Sequence, residues 1–405
     1  MEKIELSKEQ SALRAVAAVM FLLIGVGALT YAVSQFFSTE PGWQTIQAGT
    51  SGGPTCGDEF VLLYEVGASG RSARKEGQDL NELYTQACRT AFQLFHTEMS
   101  FEGVVNLKEI NDRPNEALEV DPALYRAFEA VREAGDRNVY LGPVYARYGD
   151  LFSCQDDSQL ADFDPRLSRS VAEEYAAVAA YARDPASIDV ELLGGSQIRL
   201  RVSEDYLAYA RENGVQRFLD FGWMENAFIA DYLADTLAEN GFTNGAVSSV
   251  DGFARCLDGR EGRYGLNLMG LADGRAVQAG TMEYQGPMSL VSLRAFPTAA
   301  GDEARCYQLK NGEIRTMYLD PADGLCRGAA DFLAVYAGDW SCARLAMEAA
   351  PVFIAETLDR EALERLPAEG ISAVLCQGRS IWTVGPPPTV TGLYDGFTLN
   401  SGWNL

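Results

Sequence analysis

The stretch VQRFLDFGWMENAFIADYLADTLAENGFTNGAVSSV, residues 215–250, carries the clearest structural pattern in the sequence. Its first seven residues are typical of a buried strand, and apolar side chains from Met224 to Leu237 then recur at helical spacing. Asn240-Gly241 predicts the end of this helix, and GAVSSV predicts a second strand. The stretch therefore predicts a β-α-β unit.

Similar signals on both sides of this unit predict further strands and helices. FVLLYEV, residues 60–66, predicts a strand, and residues 80–95 predict a helix. Downstream, Asn311-Gly312 separates two short strand-like runs, and this dipeptide is a strong hairpin signal. Residues 370–384 predict a final hairpin.

The composition is that of a globular and strongly acidic protein. Of 405 residues, 47% are hydrophobic and 22% are charged, and the formal net charge is −24. A chain of this length can bury a large core in one or two domains. The negative charge argues against a nucleic-acid partner, because it repels phosphates. His96 is the only histidine in the sequence, which argues against sites built from two or three histidines.

An uncharged apolar run, AVAAVMFLLIGVGALTYAV, occupies residues 15–33 near the N-terminus. A helix rises about 1.5 Å per residue, so this run is just long enough for a bilayer core of about 30 Å. Lys3, Lys8 and Arg14 precede the run, and the first charge after it is Glu40. The positive-inside bias therefore predicts a single-pass protein of the cell membrane with most of the chain on the extracytoplasmic side.

A cleaved signal peptide is the alternative interpretation, since Thr30-Tyr31-Ala32 resembles a small-residue cleavage site. The apolar run is longer than the usual signal-peptide core of about 7–15 residues, which favours an uncleaved anchor. The segment after it is rich in Gly, Ser, Thr and Pro and is typical of a flexible stalk. The expected organisation is a cytoplasmic segment (1–14), an anchor (15–37), a stalk (38–57), the main domain (58–384) and an irregular tail (385–405).

Eight cysteines follow the apolar run, and none forms a C-x-x-C pair. This pattern suggests neither a zinc ribbon nor a thioredoxin-type motif. An even number permits disulfides outside the cytoplasm, whereas in a large domain the same cysteines are equally compatible with small buried hydrophobic residues. The spacing assigns no pairing among Cys56, Cys88, Cys154, Cys256, Cys306, Cys326, Cys342 and Cys376.

Seven short sequence motifs, distributed from residue 105 to residue 350, are informative through their order and spacing. In chain order they are VNLKEIN (105–111), EVDPALYRAFEAV (119–131), YLGPVY (140–145), LDFGWMENAFIAD (219–231), VDG (250–252), TAAGDEARCYQLKNGEIRTMYLDPADG (298–324) and WSCARLAMEAA (340–350). Each motif alone is weak. Together they resemble the FAD:protein FMN transferase family, the ApbE-like flavin transferases, over most of residues 58–384.

The resemblance implies an α+β fold with a central sheet flanked by helices, preceded here by one N-terminal transmembrane helix. It also implies Mg²⁺-dependent transfer of FMN from FAD to a Ser or Thr of an extracytoplasmic acceptor protein. Cleaving a pyrophosphate requires a cation held by hard oxygens and a group that positions the attacking hydroxyl. The resemblance assigns no catalytic residue; it places Asp220, Asn226, Asn138, Gly142, Tyr145 and Thr298 at the cofactor and Asp320, Asp323, Trp223 and Glu348 at the metal.

Several of these positions depart from the family pattern. Asn226 stands where the family has a lysine that contacts the cofactor, and Met317 stands where it has a histidine. Arg344 replaces a metal-binding aspartate, and a guanidinium cannot ligate a cation because it stays protonated. The other departures are Trp223 for the second glycine, Asp323 and Glu348 for threonines, and Asn138 for an aspartate.

The same residues also have plain structural interpretations. Asp220 is placed to cap the following helix, and Asp320 and Asp323 are ordinary residues of a D-P-A-D-G turn. Gly142-Pro143 is compatible with a simple turn. Arg344 and Glu348 have the spacing of a helix surface pair.

The departures predict that the fold is retained while the transferase activity is lost or altered. An active enzyme with rearranged metal ligands is one alternative. The other is a non-catalytic relative that binds a flavin or nucleotide, or that interacts with other proteins.

Overall fold

The computed structural model describes residues 40–298, 302–386, 388–394 and 396–401. The predicted cytoplasmic segment and anchor lie outside these residues. Within the described residues, no helix combines the length and the apolar character needed to cross a membrane.

The largest element is a nine-stranded sheet with the strand order β1-β2-β6-β7-β10-β13-β14-β15-β17. Neighbouring strands are antiparallel, except that β15 and β17 run parallel. Its strands are β1 (Gly42–Ile46), β2 (Phe60–Val66), β6 (Gly245–Ser249), β7 (Phe253–Cys256), β10 (Met288–Arg294), β13 (Phe332–Ala337), β14 (Ser372–Gln377), β15 (Ser380–Val384) and β17 (Thr398–Ser401).

Three smaller sheets complete the strand content of the described residues. They have the orders β3-β5-β4, β16-β9-β8 and β11-β12. Their strands are β3 (Ala117–Glu119), β4 (Ile188–Gly194), β5 (Gln197–Val202), β8 (Arg263–Ala272), β9 (Arg275–Gln285), β11 (Cys306–Gln308), β12 (Ile314–Thr316) and β16 (Thr389–Thr391).

The helices pack against the large sheet or against one another. In chain order the α-helices of the described residues are α1 (Ala73–Phe95), α2 (Leu107–Asp112), α3 (Pro122–Ala134), α4 (Gly142–Tyr148), α5 (Arg169–Arg183), α6 (Glu204–Asn213), α7 (Glu225–Glu239), α8 (Cys342–Phe353) and α9 (Arg360–Arg365). Helix α7 packs on β6 and β7, and α8 packs on β10 and β13.

Helices pack on one face of the large sheet, and a smaller sheet packs on the other. Val291 and Val335 point to the helical side and belong to the main core. Their neighbours Leu290 and Ala334 point to the opposite side, where the β16-β9-β8 sheet covers them. This alternation is the period-two pattern of a sheet that is buried on both faces. The predicted α+β architecture with a central sheet and flanking helices is confirmed.

The predicted strand at residues 215–221 is absent, although the helix and the second strand of that unit are present. The Asn111 side chain takes the place of a neighbouring strand. Its amide oxygen accepts hydrogen bonds from the Phe218 and Leu219 amides at 2.9 and 2.8 Å, and its Nδ2 donates to the Leu219 carbonyl at 2.9 Å. The second half of the segment, residues 218–221, is thus buried without belonging to a sheet.

Both ends of the main domain reach further than predicted. Within the predicted flexible stalk, residues 42–46 form β1, an edge strand that pairs with β2. In the predicted irregular tail, β16 pairs with β9 and β17 pairs with β15. Composition alone missed these strands because short edge strands contain few buried residues, and their pairing is decided by distant partners.

Candidate functional site

A cavity of about 220 Å³ opens beside the first turn of α7. Its walls come from that turn, from the connection between β6 and β7, and from the segment between β10 and β12. The aromatic walls are provided by Trp223, Phe253, Phe296 and Tyr318. The charged groups on the lining are Glu59, Glu225, Asp251, Asp302, Arg294 and Arg305.

A polar network joins four of the lining residues. The Asn226 Nδ2 donates to Glu59 Oε2 at 2.8 Å and to Asp251 Oδ2 at 3.0 Å. Arg305 forms an ion pair with Glu59, and its Nε lies 3.7 Å from Asp251 Oδ2. One guanidinium and one amide therefore hold two carboxylates together across this part of the cavity.

A second ion pair lies further along the wall. Arg294 Nη2 donates to Asp302 Oδ1 at 2.7 Å, and the Thr298 amide and hydroxyl donate to Asp302 Oδ2 at 2.7 and 3.0 Å. Burial alone raises the pKa of Asp302, but the Thr298 amide and Arg294 outweigh it and lower that pKa. Asp302 is therefore held as a carboxylate, and Thr298 is linked to the cavity through it.

Glu225 is the one acid of this lining without a hydrogen-bond partner among the described residues. Burial raises its pKa well above the ordinary value, and the nearby carboxylates of Asp220, Glu59 and Asp251 raise it further. The indole Nε1 of Trp223 is buried without a partner in the described part of the chain. The Glu225 carboxyl group is thus available to a ligand in the cavity.

Replacing Glu225 with glutamine is expected to stabilise the protein at about pH 8 by about 1 kcal/mol, since it removes a half-buried carboxylate that has no hydrogen-bond partner among the described residues. The pKa of Glu225 is higher in the folded protein than in the unfolded chain. At a pH between these two pKa values the folded protein holds a proton that the unfolded chain has lost. The free energy of unfolding therefore falls as the pH rises through this range. Urea unfolding from about pH 5 to 8 should therefore show a flatter pH dependence for Glu225→Gln. Glu173→Gln, on the exposed face of α5, is the control; parallel curves for Glu225→Gln and the wild type would contradict the prediction.

Four predicted cofactor residues are not part of the cavity lining and lie in or near the segment before α7. Asp220 accepts a hydrogen bond from the Gly222 amide at 2.7 Å and one from Arg217 at 2.9 Å. Gly142 and Tyr145 pack under the same segment, because a Cβ on Gly142 would lie 2.7 Å from the Phe218 carbonyl carbon. Asn138 hydrogen-bonds with Asp136.

The predicted metal residues are not brought together. Arg327 forms ion pairs with both Asp320 and Asp323, and it also contacts Glu356 at 2.6 Å. Glu348 lies on α8 and does not line the cavity, whereas Trp223 does. Within the described residues, no three His, Cys, Asp or Glu side chains are grouped as metal ligands. The residues present therefore do not fit the Mg²⁺ site that the resemblance implies.

The Arg344 side chain does not line the cavity. Its guanidinium lies over the Trp340 ring at 4.9 Å and 3.9 Å from Glu133 Oε2, and its side chain is 43% exposed. Arg344 sits on the outer side of α8, so it neither repels a cation in the cavity nor pairs there with phosphate. The arginines that do reach the cavity are Arg294 and Arg305.

Sequence reasoning missed the most strongly charged part of the lining. Glu225, Asp251 and Arg305 all lie inside segments that carry the resemblance, but the resemblance assigns no role to these positions. Charged residues at such unassigned positions are the sequence signal that would have pointed to them. Glu59 gives no local signal, because only the folded chain brings it to Asn226.

The fold matches those of solved flavin transferases. The ApbE protein of Thermotoga maritima superposes with a TM-score of 0.54 at 15% identity, over 82% of this chain and 94% of that chain. The flavin transferase ApbE of Vibrio cholerae gives 0.54 at 16% identity, over 84% and 94%, and a mutant of it gives 0.51 at 14%, over 83% and 93%.

The chain has the ApbE fold.

The match confirms the resemblance at the level of the fold. No protein-family model matches the chain, and no curated protein matches it in sequence. The cavity beside α7 is lined by three of the segments of the ApbE resemblance, those beginning at residues 219, 250 and 298. Asn226 and Met317, which replace the lysine and the histidine, both line it.

Proposed function

We propose that this protein is a divergent relative of the ApbE flavin transferases that binds a flavin nucleotide without transferring FMN. One observation carries the proposal: a cavity lies at the segments that resemble the family, and its lining includes Asn226 and Met317, at positions where the resemblance has a lysine and a histidine. We further propose that residues 15–37 anchor the protein in the cell membrane, with its body outside the cytoplasm.

Binding is supported by the chemistry of the cavity walls. Planar aromatic ligands pack well on aromatic side chains, and Trp223, Phe253, Phe296 and Tyr318 supply such surfaces. Arg294 and Arg305 are cations of the kind that bind phosphate. Both are paired with carboxylates, so a phosphate would have to exchange with Asp302 or Glu59.

The proposed absence of FMN transfer follows from the side chains that line the cavity. Cutting a pyrophosphate requires positive charge at the phosphates and a group that accepts or positions a proton. The Asn226 amide is uncharged and its Nδ2 is already used by Glu59 and Asp251. The Met317 thioether cannot exchange a proton.

A protein-interaction role is the second candidate, and the size of the cavity favours it. Sites for small ligands usually enclose about 300–1,000 Å³, whereas this cavity has about 220 Å³. Trp223 and the Arg305–Glu59 ion pair fill space that a dinucleotide such as FAD would need. A flavin therefore binds only if this ion pair opens, whereas an interaction protein needs no opening.

A thermal-shift titration of the full chain tests the proposal. Saturating FAD or FMN should raise the melting temperature by about 2–4 °C with or without Mg²⁺. Riboflavin and AMP, added separately, show which half of FAD is bound. If neither flavin shifts the melting temperature, the interaction role stands instead.

Transfer itself is tested with FAD, Mg²⁺ and a Ser/Thr acceptor peptide. We expect no AMP release and no flavin on the peptide. Covalent flavin on the peptide would overturn the non-catalytic assignment. The double variant Asn226→Lys/Met317→His, which restores both family residues at the cavity, is the informative comparison.

A further inference from the structure

Cys56 and Cys88 lie in contact although 32 positions separate them in the sequence. Cys56 precedes the short helical turn Gly57–Glu59, and Cys88 lies in the middle of α1. The Cys56 thiol donates to the Cys88 carbonyl at 3.3 Å, and the Cys56 amide is 3.4 Å from the same oxygen. The proximity of Cys88, together with burial, raises the pKa of Cys56. The Cys56 sulfur therefore lies directly against the backbone of Cys88.

The position of Cys56 is fixed by a series of contacts along α1. The Gly49 amide donates to Thr85 Oγ1 at 2.8 Å, and Asn81 Nδ2 donates to the Gln47 carbonyl at 2.9 Å. One turn further along the helix, Arg89 donates to the Ser51 carbonyl at 2.9 Å. Residues 47–56 thus follow the helix and place Cys56 beside Cys88 by their backbone course rather than by one side-chain rotation.

The other cysteines have different partners. The Cys342 thiol donates to the Ala254 carbonyl at 3.1 Å, and Cys326 contacts the Thr316 amide at 3.2 Å. Within the described residues, Cys56 and Cys88 are the two cysteines that direct hydrogen bonds join to each other. They are therefore the pair with the strongest geometric support.

We propose that Cys56 and Cys88 form a structural disulfide when the chain meets a disulfide-type oxidant. One thiolate attacks the oxidant to give a mixed disulfide, and the second thiolate displaces the oxidant's remaining sulfur. The S–S bond forms, the two electrons reduce the oxidant's disulfide, and the two cysteine protons pass to its sulfurs to give two thiols. Because the Cys56 thiol already contacts the Cys88 backbone, local adjustment of the two side chains brings the sulfurs to a bonding distance of about 2.05 Å.

The disulfide links residues 47–56, near the start of the domain, covalently to α1, the longest of the described helices. Cys56 is 7% exposed and Cys88 is fully buried. Exchange with an oxidant requires an accessible thiolate, so the bond forms before residues 47–56 settle on α1 or when they lift away from it. Once formed, the bond holds this segment closed and resists reduction because both sulfurs are buried.

The test uses the purified full chain, first reduced and then incubated with oxidised glutathione under mild urea. Remaining thiols are alkylated after denaturation, and peptides are mapped by mass spectrometry without reduction. We expect a peptide pair joined through Cys56 and Cys88 and six alkylated cysteines. Alkylation of both Cys56 and Cys88, or either one joined to another cysteine, would overturn the proposal.

Thermal unfolding gives an independent measurement. Reductant should lower the melting temperature of the oxidised wild type by roughly 5 °C. It should leave the Cys56→Ser/Cys88→Ser variant unchanged, and Cys154→Ser, which alters a partly exposed cysteine, should behave like the wild type. An equal response to reductant in the wild type and the double variant would also overturn the proposal. Neither measurement depends on flavin binding.

Discussion

Replacing Arg315 with methionine is expected to destabilise the protein by about 3–5 kcal/mol. Arg315 Nε lies 2.7 Å from Asp164 Oδ2, and the two side chains are only 4% and 1% exposed. Methionine keeps much of the apolar volume but leaves the Asp164 carboxylate buried without its cation. The cost of that unpaired charge exceeds the modest net value of the intact pair. Urea unfolding measures the change directly.

Two controls separate this effect from a general loss of charge. Arg169→Met breaks the exposed Arg169–Glu173 pair on α5 and should cost less than about 0.5 kcal/mol. Asp164→Asn combined with Arg315→Met removes both charges and should recover part of the lost stability. A loss below about 1 kcal/mol for Arg315→Met alone would show that Asp164 finds another partner.

The second large effect is expected for Gly222→Ala, at about 3 kcal/mol. Gly222 has a φ of +54°, and a Cβ there would lie 2.4 Å from the ring of Tyr145. Tyr145 is buried, so its ring cannot move aside without displacing the core around it. Because Gly222 also lines the cavity, the same variant should weaken any flavin-dependent rise in melting temperature.

Gly214→Ala is the matched control for this substitution. Gly214 has a similar φ of +68°, but a Cβ added there would have no atom within 4 Å. Its cost should therefore be that of the left-handed backbone alone, about 1 kcal/mol. Similar losses for the two variants, measured by urea unfolding, would show that the contact with Tyr145 relaxes freely.

Helices and hairpins whose ends are set by neighbouring residues could be predicted from short sequence signals. Asp121 caps α3 by accepting a hydrogen bond from the Ala123 amide, and Gly135 ends that helix in the left-handed conformation; both are short-range signals that a sequence displays directly. The hairpin at Asn311-Gly312 also forms, with β11 paired to β12. Such features need no information about distant parts of the chain.

Distant contacts decided the features that the sequence did not reveal. The run at residues 215–221 has the composition of a strand, but the Asn111 side chain, more than 100 positions away, hydrogen-bonds the backbone of Phe218 and Leu219 instead. Arg344 falls in a segment that resembles a metal-binding motif, yet the orientation of α8 turns its side chain outward toward Glu133. Neither outcome follows from residue type or spacing, because both depend on how helices settle against the sheet.

The early start of β1 has a consequence for access to the cavity. Under the proposed anchoring, only residues 38–41 separate the anchor from Gly42, where β1 begins. Four residues reach at most about 14 Å. The tether is therefore too short for the body to move far from the lipid headgroups, and any macromolecule that docks on it must do so close to the membrane surface.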